Sequence, residues 1–148
     1  MKILVFSDSH GVILPMRSAI RKEMPDAVIF LGDVLDDIDR INMLDKGFAL
    51  YSVKGNNDIF SSAPSKAVIT LDEHKIFATH GHLYRNIDSL AKAAEKNNCD
   101  ICLFGHTHTP LMTKQGGITI MNPGSIRDSR TFGIIENGEC KIIYLSEI

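Results

Sequence analysis

The strongest constraint on the fold is an alternation. Short apolar runs, KILVF (2–6), AVIFL (27–31), FALYSVK (48–54), KIFATH (75–80) and DICLFG (100–105), are interleaved with stretches that place apolar residues at helical spacing, the pattern of an α/β protein. LPMRSAIRKEM (14–24) predicts a helix stopped by Pro25, DDIDRINMLDKG (36–47) a short helix closed by Gly47, and IDSLAKAAEKNN (87–98) a helix with Ile87, Leu90, Ala91 and Ala94 on one face. SKAVITL (65–71) pairs with KIFATH through the turn DEH. The last third differs: its apolar runs are joined by Gly116-Gly117 and Asn137-Gly138, which are hairpin signals. The chain therefore begins as βαβ and finishes antiparallel. Two packed mixed β-sheets flanked outside by helices accommodate both halves, and the 148 residues predict a single domain over 1–148.

Composition narrows the partners. A formal net charge of −2, with no basic stripe and no aromatic stacking platform, gives no strong nucleic-acid signal. The apolar run before Asp8 is too short for a signal peptide, and nothing approaches the roughly 18 apolar residues of a spanning helix, so no membrane partner and a cytoplasmic location are expected. Three cysteines fit reduced thiols better than a disulfide framework. Cys99 and Cys102 form a C-x-x-C spacing where a helix ends and a strand begins, and the expected reading is two small buried side chains.

Five of the apolar runs end in polar residues of one chemical kind. They deliver Asp8 and His10, Asp33, Asn56 and Asp58, His80, and His106 with His108. Taken alone each has an ordinary explanation, such as a helix cap at Asp8-Ser9 or a turn at Gly32-Asp33 or Gly55–Asp58. Binding sites in α/β sheets form outside the carboxyl ends of strands, so the five ends are expected to converge. Four imidazoles, two carboxylates and an amide oxygen are too many donors for one ion, and two ions sharing Asp33 fit better. Mixed N and O donors suit Mn²⁺, Fe²⁺, Ni²⁺, Co²⁺ or Zn²⁺ more than Mg²⁺ or Ca²⁺. Two divalent cations outweigh two carboxylates and a bridging hydroxide, so such a centre attracts an anion, and a phosphate ester is the natural candidate.

The ordered set D-x-H, G-D, G-N-x-D, H and G-H-T-H resembles the calcineurin-like metallophosphoesterase superfamily. The compact length, THGHLY and MNPGS most resemble its small bacterial and archaeal phosphodiesterases related to the retromer scaffold subunit, over Met1 to about Ser125. The resemblance implies a sandwich of two sheets flanked by helices. It implies that Asp8, His10, Asp33 and His108 hold a first metal, and Asp33, Asn56, His80 and His106 a second. It also implies Mn²⁺-dependent hydrolysis of a small phosphodiester or phosphate ester by a metal-bridging hydroxide, and leaves homo-oligomerisation open. Two departures bear on mechanism. Asn57 stands where many relatives have a histidine that contacts the phosphoryl group or protonates the leaving group, and a hydrogen bond is the most it can donate. IRDSR follows MNPGS without the proline-arginine ending common in relatives, so Arg127 and Arg130 are expected as solvated surface charges rather than phosphate ligands. His82 is the alternative proton donor. A non-catalytic metal-binding scaffold of the same fold is the competing expectation.

Overall fold

The computed structural model describes residues 1–45 and 47–147. Five strands, β1 (Lys2–Phe6), β2 (Ala27–Phe30), β3 (Ala49–Ser52), β9 (Thr131–Glu136) and β10 (Glu139–Tyr144), form one sheet in the order β10-β9-β1-β2-β3. The other five, β4 (Lys66–Leu71), β5 (His74–Thr79), β6 (Ile101–Leu103), β7 (Leu111–Gln115) and β8 (Ile118–Asn122), are ordered β4-β5-β6-β8-β7. Helices α1 (Leu14–Glu23) and α2 (Leu35–Leu44) cover the first sheet, and α3 (Ile87–Lys96) covers the second.

This layering explains why the central strands are apolar without alternation: both faces of each are buried. Ile3 and Val5 of β1 and Ala27 and Ile29 of β2 meet Ile76, Ala78, Ile101 and Leu103 of the facing sheet. Their neighbours Leu4, Phe6, Val28 and Phe30 point the other way, onto Met16, Ala19 and Ile20 of α1 and Ile38 and Ile41 of α2. Phe77, Cys102 and Ile120 lie beneath Leu90, Ala91 and Ala94 of α3. That helix opens on a capping box in which Asn86 and Ser89 satisfy each other's backbone N–H.

Two expectations need correction. The last third is not wholly antiparallel: β7 and β8 form the expected hairpin, but β8 runs parallel to β6. The reason is burial, since β8 is apolar on both faces and takes the interior position while the exposed β7 takes the edge. The second helix stops at Leu44, earlier than expected, and Asp45 leaves it in an extended conformation with its carboxylate taken by Arg17 and Arg21 of α1. Lys46 of the expected closure lies outside the described residues. Among the described residues no helix is long and apolar enough to cross a membrane.

The parallel strands β1, β2 and β3 of one sheet and β5 and β6 of the other place their carboxyl ends together. A hydrogen bond between the sheets, from His80 Nδ1 to the Leu31 carbonyl at 2.7 Å, ties these ends to one another.

Candidate metal centre

Asp8 is fully buried just beyond β1. Its Oδ2 accepts from Ser7 Oγ at 2.6 Å and from the His106 amide at 3.0 Å. Its Oδ1 has no hydrogen-bond partner. Instead it faces three imidazole nitrogens: Nε2 of His108 at 3.2 Å, of His80 at 3.7 Å and of His10 at 3.9 Å. Asp33 stands opposite, with Oδ1 3.5 Å from His80 Nε2 and Oδ2 3.7 Å from His10 Nε2. The donor atoms of Asp8, His10, Asp33 and His108 lie within 4.8 Å of one another. On the other side of His80, His106 Nδ1 sits 3.3 Å from His80 Nε2 and 3.2 Å from Asn56 Oδ1. All seven expected ligand positions thus come together.

A buried carboxylate oxygen without a partner is costly. Oxygen and imidazole lone pairs aimed at one point repel unless a cation or protons lie between them. The donor chemistry, imidazole with carboxylate and amide oxygen, is that of a first-row divalent ion, and the residues present fit one.

The electrostatics follow from the same contacts. Burial works to raise the Asp33 pKa, but the His80 ring beside it and two Asn57 donors outweigh this and hold the carboxyl well below the usual carboxylate range. Burial works to lower the His80 pKa, and its hydrogen bond to Asp33 with the charges of Asp8 and Asp33 reverses the shift and raises it. Asn57 makes two hydrogen bonds to Asp33, from its amide at 3.1 Å and from Nδ2 at 2.8 Å. The His82 ring lies 5.5 Å from His80 and 6.2 Å from His106. Burial, then repulsion from those two rings, lowers its pKa, so His82 is a neutral imidazole at neutral pH. Arg127 and Arg130 are exposed, and Arg127 Nε lies 3.5 Å from Asp128 Oδ1. A cavity of about 480 Å³ opens beside Asn57, walled by Val34, Asp36, Asp39, Ile59 and Phe60. Outside the site, Cys99 and Cys102 are buried free thiols, and burial pushes Cys102 up to about 12, so the C-x-x-C pair is packing rather than reactive chemistry.

Crowding at the strand ends fixes the glycines of the motifs. A Cβ on Gly55 would lie 2.1 Å from Asp33 Oδ1, and one on Gly105 would lie 2.0 Å from Ser7 Oγ. The ligand residues are themselves bent: Asp8, His10, Asp33, His106 and His108 all have positive φ, between 42° and 70°. Left-handed backbone costs an L-residue about 1–2 kcal/mol, and residues outside the ligand set hold it in place.

Sequence reading missed most of these supports. Asp58, read as part of a simple turn, accepts four backbone N–H groups at 2.8–2.9 Å, from Asp33, Val34, Leu35 and Gly55. It clamps the Asp33 and Asn56 loops together. Asp37 of α2 takes Ser9 Oγ and the Gly11 amide, both at 2.7 Å, and holds the turn between Asp8 and His10. Within MNPGS, Asn122 Nδ2 donates to the Gly105 carbonyl and Thr107 Oγ1, and Ser125 Oγ donates to the Asp8 carbonyl at 2.8 Å. The motif itself was the available signal, but what it touches was not legible. Asp58→Ala leaves four backbone donors, three of them buried, without their acceptor and is expected to cost about 3 kcal/mol. For a chain of this length that lowers the melting temperature of the metal-free protein by roughly 6–12 °C. A variant melting within a degree of the parent would show that the clamp is dispensable.

Residues 1–136 match the calcineurin-like phosphoesterase superfamily domain. The chain is 28% identical to phosphodiesterase YfcE of Escherichia coli K12, over 99% of its own length and 94% of that protein. A predicted phosphoesterase from Streptococcus pneumoniae TIGR4 has a similar structure, with a TM-score of 0.82 at 30% identity over 98% of this chain and 90% of that one. Vps29 of Entamoeba histolytica shares the fold, with a TM-score of 0.80 at 21% identity over 97% of this chain and 98% of that one.

Proposed function

The chain belongs to the calcineurin-like phosphoesterase superfamily, in the phosphodiesterase branch related to the retromer scaffold subunit, and on that premise we propose that it is a single-domain phosphodiesterase using two divalent ions. Asp8, His10, Asp33 and His108 hold the first ion, and Asp33, Asn56, His80 and His106 the second, with Mn²⁺ the ion assigned to both. The observation that carries this reading is Asp8 Oδ1, buried, without a hydrogen bond, and faced by three imidazole nitrogens. When bound, the two ions lower the pKa of a water molecule and neutralise charge on the phosphoryl oxygens.

The protein's own residues do the rest. His80 donates Nδ1–H to the Leu31 carbonyl, which leaves Nε2 aimed at the carboxylates. Asn57 orients Asp33 through two hydrogen bonds, and the His80 ring together with Asn57 keeps that carboxyl ionised. The cavity beside Asn57, part aromatic and part polar, receives one of the two alcohol groups of a small diester. No side chain needs to act as a nucleophile.

The test is to strip the protein of metal, reconstitute it with Mn²⁺, Ni²⁺, Fe²⁺, Co²⁺ or Zn²⁺ in turn, and assay a panel of mono- and diesters. Hydrolysis of an activated diester with Mn²⁺, abolished in Asp8→Ala and His108→Ala, is expected. Inactivity with every ion, in a protein that still binds two, would favour a non-catalytic scaffold of the Vps29 kind.

A further inference from the structure

We propose that Asp128, in the segment IRDSR where the chain departs from its relatives, is the positioning residue of the first metal site. It rests on the ligand assignment above and acts through His108. Asp128 Oδ2 accepts the Nδ1–H of His108, while His108 Nε2 lies 3.2 Å from Asp8 Oδ1. A carboxylate on one ring nitrogen fixes the tautomer, leaves the lone pair on the other, and makes that nitrogen a stronger donor to a cation.

The placement of Asp128 is itself built. Its amide donates to Ser125 Oγ at 2.9 Å, and the same hydroxyl donates to the Asp8 carbonyl at 2.8 Å. Contacts therefore run in a closed ring from Asp8 through Ser125, Asp128 and His108 back to Asp8. Arg127 Nε approaches the other carboxylate oxygen, Oδ1, so Oδ2 is left to His108.

His108 needs a brace from outside the core. Its side chain is 32% exposed and its backbone is left-handed, so packing alone does not fix the ring. His80 is fully buried and uses a backbone carbonyl for the same purpose, and His106 presents Nδ1, not Nε2, to its neighbours. Among the four candidate histidine ligands, His108 is the one that hydrogen-bonds a carboxylate outside the ligand set.

Two readouts test this. In metal-free protein, two-bond ¹H–¹⁵N spectra report the His108 tautomer; Nδ1–H is expected in the parent and in Asp128→Asn, whose amide oxygen still accepts, and a mixture in Asp128→Ala. Titration with Co²⁺, followed by its visible absorption, is expected to show one of two sites weakened about 10- to 100-fold in Asp128→Ala, less in Asp128→Asn, and the other site unchanged. Metal-free melting of both variants at the parent temperature shows that the fold is intact. An unchanged tautomer, or a changed tautomer with both Co²⁺ affinities unchanged, overturns the proposal. A parent protein that binds no Co²⁺ overturns the two-ion reading instead, and the tautomer still decides whether Asp128 orients His108.

Discussion

Asp33→Ala is expected to strip the protein of both divalent ions and reduce phosphodiester hydrolysis to the uncatalysed background. Asp33 Oδ1 faces His80 and Oδ2 faces His10, so one carboxylate serves both proposed sites. Losing a shared ligand should exceed the about 10- to 100-fold that an outer-shell partner costs in metal affinity or activity. Asn56→Ala, which removes an amide oxygen near His106 alone, should leave one ion in place. Elemental analysis of dialysed protein gives the metal count, and an activated diester gives the rate. Because Asp33 has φ 65°, alanine adds backbone strain, and Asp33→Asn is the second variant: asparagine tolerates that conformation and removes only the charge. Its backbone N–H keeps Asp58 as partner in both variants. Two ions retained in Asp33→Ala, with none in Asn56→Ala, would reverse the assignment.

The second large effect concerns the leaving group. An asparagine amide is no general acid, whatever hydrogen bonds it makes to Asp33, and burial lowers the His82 pKa, so neither side chain is set up to protonate a departing alkoxide. General-acid assistance is typically worth about 10²- to 10⁴-fold, and its absence falls on poor leaving groups. Nitrophenyl diesters should be hydrolysed well, and alkyl diesters of similar size slowly. Asn57→His should raise kcat/KM for the alkyl esters toward that range while changing the nitrophenyl rate little. The measurement is kcat/KM across diesters differing only in leaving-group pKa, in the parent, Asn57→His and His82→Ala. A shallow dependence in the parent that becomes steep in His82→Ala would give the acid role to His82. Equal slopes in all three would remove both residues from proton transfer.

Much of the architecture was legible because the central strands advertise themselves. KILVF and AVIF are apolar at every position but Lys2, and burial on two faces requires that. The candidate ligands were legible for a related reason: imidazoles and carboxylates at the ends of such runs have few ordinary uses when repeated five times. The supports were not legible. Asp58 joins amides 23 to 25 positions away, and Ser125 reaches a carbonyl 117 positions away. A side chain that hydrogen-bonds a distant backbone carries no periodicity and no local pattern. The parallel pairing of β8 with β6 was hidden similarly, since two glycines predict a hairpin but not which arm lies inside the sheet.

The place of β1 in its sheet has a consequence for how the molecule forms. Ile3 pairs with Ala27 on one side and with Ile135 on the other, so the strand leading to Asp8 is complete only when the far end of the chain has docked. Closing so long a loop costs little at equilibrium, because the entropy grows only with the logarithm of length. It costs time, since pairing between distant segments slows folding. The loops that carry Asp8 and the other candidate ligands therefore depend on contacts between the two ends of the chain, and forming them is expected to slow folding more than it costs stability.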